Sequence, residues 1–82
     1  MQHPTPTLTP AQRVTVLKAI RSLDRRVQEA ANQNRPEPVQ VIDLRDRLEI
    51  ALATCYDAAE GKPTYLTTGE LDALRSVLTS LA

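Results

Sequence analysis

Eighty-two residues make one domain and leave no room for a second core. Ten basic and ten acidic side chains cancel, which argues against binding driven by bulk charge to nucleic acid or to a membrane surface. The apolar residues are almost all Leu, Val, Ile and Ala, with no Trp, no Phe and two Tyr, so the core buries little area per side chain and has little stability in reserve. Cys55 is the only cysteine; it excludes an internal disulfide and reads as a small buried hydrophobe in a reducing cytoplasm. Self-association is the remaining route to extra burial.

Residues 1–8 carry prolines at 4 and 6 and one residue to bury, Leu8, and read as an extended tail. This stretch has neither the basic head nor the apolar run of a signal peptide, and no segment approaches the roughly 20 apolar residues of a membrane span. Cytoplasmic localisation is the expectation. The folded domain covers residues 9–82. Thr9-Pro10-Ala11-Gln12 is a helix start: Thr9 caps, Pro10 suits the first helical position, and Gln12 stands where a capping box needs Glu or Gln. The first helix runs over residues 10–32 with a stripe of Val16, Leu17, Ile20, Leu23, Val27, Ala30 and Ala31. Two prolines, at 36 and 38, then exclude a continuous helix and leave a connection long enough for an antiparallel return.

The second helix, residues 39–60, organises the rest. At 100° per residue Val41, Leu44, Leu48, Ala51, Leu52, Cys55 and Ala59 fall within an arc of about 100°. Gly61 stops it and Pro63 prevents continuation. Thr64-Tyr65-Leu66 is a short connector. Thr67-Thr68-Gly69-Glu70 is a second capping box, with Leu66 and Leu71 as its hydrophobic staple. The third helix, residues 68–81, presents Leu71, Leu74, Val77, Leu78 and Leu81 on one face. No strand is predicted. The fold class is all-α: an antiparallel helical hairpin plus a shorter third helix, like a three-helix bundle. At about 21 Å against roughly 35 and 31 Å, the third helix is too short to cover the whole hairpin. Part of the seam between the first two helices stays open, and a second copy of the chain, most simply in a homodimer, is the natural cover.

The charges are polarised. Residues 1–35 hold six basic and two acidic groups, and residues 36–82 hold four basic and eight acidic. Lys18, Arg21 and Arg25 lie within about 60° of one another on the first helix, with Arg26 beside them. They form a ridge for an acidic partner or nucleic acid, or simply a solvated helix face near Asp24 and Glu29. Ile50 sits about 160° from the centre of the second helix's stripe. Ile42 and Ala53 link it to the core edge, giving a second apolar strip bordered by acid, the composition of a contact surface with a polar rim. Tyr56 falls at the edge of the stripe, half-buried. Tyr65 belongs under the staple or, as a protein-interface residue, against a partner.

Catalytic residues are wanting. His3, the only histidine, lies in the tail, and Cys55 faces the core with no histidine near it in sequence. Asp43–Arg47 and Arg45–Glu49 are i,i+4 pairs that explain the carboxylates of the second helix as surface ion pairing. No cofactor and no metal site are expected, and the protein is not expected to be an enzyme. The reading is a small protein–protein interaction module, an adaptor, assembly factor or inhibitor of a larger complex. It acts by steric binding and associates with itself. The alternatives are nucleic-acid binding by the ridge, or a small-ligand or nucleotide site in a subunit crevice furnished by Tyr56, Tyr65, Thr64, Thr67 and Thr68.

Overall fold

The computed structural model describes residues 2–36 and 39–79. Its elements are β1 (Gln2–Pro4), α1 (Pro10–Asn32), α2 (Val39–Ala59), β2 (Tyr65–Thr67) and α3 (Thr68–Thr79). The helices follow the predicted ranges, with α2 ending one residue early; Leu81 lies outside the described residues.

Local chemistry sets the helix ends. At the start of α1 the Gln12 amide donates to Thr9 Oγ1 at 3.1 Å, and Gln12 Oε1 accepts from the Thr9 amide at 2.8 Å. Thr67 and Glu70 exchange the same two bonds at 3.3 Å each before α3. The C-termini of α1 and α2 each close with a left-handed residue, Asn34 (φ 54°) after α1 and Gly61 (φ 86°) after α2. In each case two amides reach back to terminal carbonyls: Arg35 to Ala30 (2.9 Å) with Asn34 to Ala31 (3.1 Å), and Lys62 to Asp57 (3.2 Å) with Gly61 to Ala58 (3.0 Å). These are Schellman closures, and they satisfy carbonyls that the helix leaves without partners.

Two cross-helix contacts fix how α1 meets α2. Arg45 Nη1 lies 3.3 Å from Asp24 Oδ1, and the Arg13 guanidinium stands over the Tyr56 ring, 5.4 Å from its centroid. The partners are eleven residues apart on each helix and in opposite order, so the hairpin is antiparallel and in one register. On its other flank α2 meets the start of α3, where a Cβ at Gly69 would stand 2.9 Å from Arg47 Nη1. The core lies between the three helices: Val16, Ile20 and Leu23 of α1, Leu48, Ala51, Leu52 and Cys55 of α2, and Leu71, Ala73 and Leu74 of α3. Among the described residues no polar side chain is buried. Ala31 and Ala59, predicted in the stripes, are exposed in the last turns of their helices; Ala30 is the residue that turns inward there.

The expectation of no strand is corrected, and the segment read as an extended tail is extended but paired. β1 pairs antiparallel with β2, with Gln2 opposite Thr67, His3 opposite Leu66 and Pro4 opposite Tyr65. His3 Nε2 and Thr68 Oγ1 are hydrogen-bonded at 3.0 Å, and Thr64 Oγ1 donates to Thr5 Oγ1 at 2.8 Å. Leu8 is buried to 4% exposure and Leu66 completely. Segments of three residues are too short for a period-2 pattern to show, and their pairing joins opposite ends of the chain. The physical cause is Leu66. Its burial between exposed Tyr65 and Thr67 requires an extended backbone there, and an extended backbone has amides to share.

The N-terminal segment is therefore a strap that closes the core. Leu8→Ala is expected to lower stability by about 2–5 kcal/mol, whereas Tyr65→Ala on the outer side of the ribbon stays within about 0.5 kcal/mol. Urea unfolding of both variants checks this; a Leu8 loss no larger than the Tyr65 one would mean that the strap is not part of the cooperative unit.

Candidate interaction surfaces

Three surfaces carry the candidate residues. The first is the outer face of α2. Val39 and Ile50 are 74% and 52% exposed; Ala53 is exposed and Ile42 part-buried. Their spacing puts all four on the side away from Leu48 and Cys55. Exposed Asp43, Asp46 and Asp57 border them. Thr54 turns its hydroxyl back onto the Ile50 carbonyl at 2.8 Å, which removes a polar group from the patch. Asp43 is held by Arg47 at 3.1 Å, so that rim is fixed on one side. Tyr65 belongs to a different element. It is 60% exposed on β2, not packed under the staple, because strand alternation sends Leu66 inward and its neighbours outward.

The second is the ridge on α1. Lys18, Arg21, Arg25 and Arg26 are all exposed. Among the described residues none of them has a carboxylate within ion-pair distance. The predicted Arg45–Glu49 pair is replaced: Arg45 turns instead to Asp24 of α1 and to Asp46 at 3.4 Å. Desolvation pulls the Arg45 pKa down, but the Asp46 hydrogen bond and the charges of Asp46, Asp24 and Glu49 outweigh it and raise the pKa. The consequence for α1 is that Asp24, the carboxylate nearest the ridge in sequence, is drawn towards α2. The ridge is left net positive.

The third is a groove of about 400 Å³ between the strap and α3, with His3, Pro4, Pro6, Leu71, Leu74 and Arg75 among its walls. None of Tyr56, Tyr65, Thr64, Thr67 and Thr68 lines it. The threonines are engaged elsewhere: Thr64 with Thr5, Thr67 in the cap and Thr68 with His3. His3 is held by Thr68, and Gln12, which also lines the groove, is held by Thr9. Arg75 adds a cation to walls whose apolar part comes from Pro4, Pro6, Leu71 and Leu74.

Among the described residues no group of three or more His, Cys, Asp and Glu side chains is placed to hold a metal ion, and no helix is long and apolar enough to cross a membrane. Cys55 is 5% exposed. Burial pushes its thiol pKa up, and the nearby Arg13 charge lowers it by less. The thiol is therefore protonated at neutral pH and a poor nucleophile. The sign of the linkage follows. Above the range of a free cysteine, about 8.5, the unfolded chain releases this proton and the folded chain keeps it. Stability is then lost as pH rises towards the raised native value. Wild type is expected to lose stability relative to Cys55→Ala between pH 7.5 and about 9.5, as measured by paired urea titrations; parallel curves would show that the thiol is not held protonated.

The chain matches no protein-family model, no curated protein and no solved structure.

Proposed function

We propose that this chain is a small helical protein–protein interaction module, acting sterically as an adaptor, assembly factor or inhibitor of a larger complex, and associating with itself. One observation carries the reading. The outer face of α2 exposes Val39 and Ile50 beside Ala53, with aspartates around them and one flanking hydroxyl turned inward. Large aliphatic side chains in that setting gain most when a partner removes them from water, while the charged rim orients the encounter. The single cysteine, buried and free, suits a reducing cytoplasm.

A photo-crosslinking residue at position 50 tests this in living cells. It is expected to give a covalent adduct with a distinct protein, and the same residue at position 22 of α1 is not. The Asp46→Arg background is expected to weaken the adduct several-fold, since a rim charge sets encounter rate. No adduct at position 50, or equal adducts at both positions, would overturn the reading.

The α1 ridge favours a second reading, nucleic-acid binding, because its four cations lack ion-pair partners among the described residues. It predicts retention on DNA or RNA that falls steeply between about 50 and 200 mM salt and is lost on changing Lys18, Arg21 and Arg25 to Ala. Salt-independent or absent retention in a gel-shift titration would dismiss it.

A further inference from the structure

We infer that a second copy of this chain covers the open face of the α1–α2 hairpin, through a two-fold axis parallel to the helices, to make an antiparallel four-helix layer. This rests on the self-association part of the function proposed above and names the face and the geometry.

The face is the side of the hairpin turned away from α3. Four contacts locate it. Arg47 reaches α3 at Gly69, Gln12 lines the groove against Leu71 and Leu74, and the Arg45–Asp24 and Tyr56–Arg13 contacts mark where the two hairpin helices meet. On α1 the positions opposite Gln12 and near Asp24 are Val14, Leu17, Arg21 and Gln28; on α2 the positions opposite Arg47 are Ile42, Glu49, Ala53 and Tyr56. Val14 and Tyr56 are 51% and 46% exposed. Leu17 and Ile42 are part-buried and Ala53 is exposed. The spacing on α1, alternating three and four residues through Val14, Leu17, Arg21, Asp24 and Gln28, is that of a helix seam that accepts another helix pair. Arg13 holds the Tyr56 ring from one side, leaving it fixed at the apolar end.

Charge selects the occupant and its orientation. By sequence α1 carries five basic and two acidic groups, and α2 carries two basic and four acidic. A two-fold axis across the helices would lay α1 on α1 and set the arginine ridge against itself. An axis along the helices lays the α1 of each copy antiparallel on the α2 of the other. It also keeps the levels of the hairpin, because such a rotation does not move residues along the helix. Those levels are fixed by the Asp24–Arg45 and Arg13–Tyr56 contacts. Across the interface Val14 then meets the Tyr56 level, Leu17 the Ala53 level and Arg21 the Glu49 level. Asp24 and Arg45 are already paired within each chain, so the Arg21–Glu49 level supplies the complementary charges, and it occurs twice by symmetry. Glu49 has no ion pair within its own chain among the described residues, so it is free to take Arg21 of the second copy. The face is about 30 Å long and two helices wide, roughly 600 Å² per chain, which reaches the lower end of stable interfaces.

Light scattering over a dilution series from a few to several hundred micromolar reads the outcome. Wild type is expected at twice the mass of one chain, 9.1 kDa. Val14→Glu and Arg21→Glu are each expected to weaken the dimer by roughly ten-fold or more. Combining Arg21→Glu with Glu49→Arg restores most of that loss, while Ile50→Asp and Arg75→Glu, off this face, leave the dimer unchanged. All five positions are exposed, and unchanged far-ultraviolet circular dichroism certifies that the variants fold. A wild type that stays monomeric throughout, a dimer indifferent to Val14→Glu and Arg21→Glu, or a double variant weaker than either single one overturns this inference. The adduct at position 50 is scored separately: Ile42 and Ala53 border both faces, but Ile50 lies off the dimer face, so a failed dimer with an adduct at position 50, or the reverse, tells the two readings apart.

Discussion

The fold depends on closing an aliphatic core that contains no large ring. Leu48, Leu66, Leu74 and Val16 are the largest side chains removed completely from solvent, and they come from four different elements. None brings the area of a Phe or Trp. The core is therefore assembled from many modest contributions, and the two short strands take part in it as much as the helices. Leu8 and Leu66 enter from outside the bundle, and the β1–β2 pairing holds their backbones where they must be. With no polar side chain buried among the described residues, no hydrogen-bond network inside specifies the arrangement. Shape and the alignment of apolar stripes do so instead.

Polar groups act at the ends and edges. Two reciprocal capping boxes and two left-handed closures satisfy termini whose amides and carbonyls would otherwise depend on water. Polar contacts between helices lie at the rims, where Arg45 and Arg13 bridge α1 and α2 and Arg47 reaches the start of α3. Such exposed contacts add little stability. Their importance is geometric, since they set the level of one helix against the other.

That level connects the core to the surface chemistry. α1 is basic on its outer side and α2 acidic on its own, and both are displayed because α3 covers only one side of the hairpin. The same arrangement that buries Leu48 and Leu52 exposes Val14, Tyr56 and Ile50. A protein with these faces has two ways to gain free energy beyond its own folding: a copy of itself on the open seam, and a different partner on the outer side of α2.

Much of the local structure was legible in the chain itself. Thr9-Pro10-Ala11-Gln12 and Thr67-Thr68-Gly69-Glu70 determine helix starts because the capping partners are three residues apart. Gly61 determines a stop because a left-handed position there is free of a Cβ penalty. The stripe from Val41 to Cys55 determines which side of α2 is buried, and Asp43–Arg47 forms because one helical turn brings the two together. What the sequence could not determine joins residues far apart. The pairing of β1 with β2 depends on Leu66 being drawn into a core built by three helices, and strands of three residues carry no pattern of their own. Arg45 has Asp24, Asp46 and Glu49 within reach, and only the crossing of α1 and α2 decides that it turns to Asp24 and Asp46. Tyr65 could equally well have packed inward by its composition. The alternation of an extended backbone, set by its buried neighbour Leu66, is what turned it to solvent.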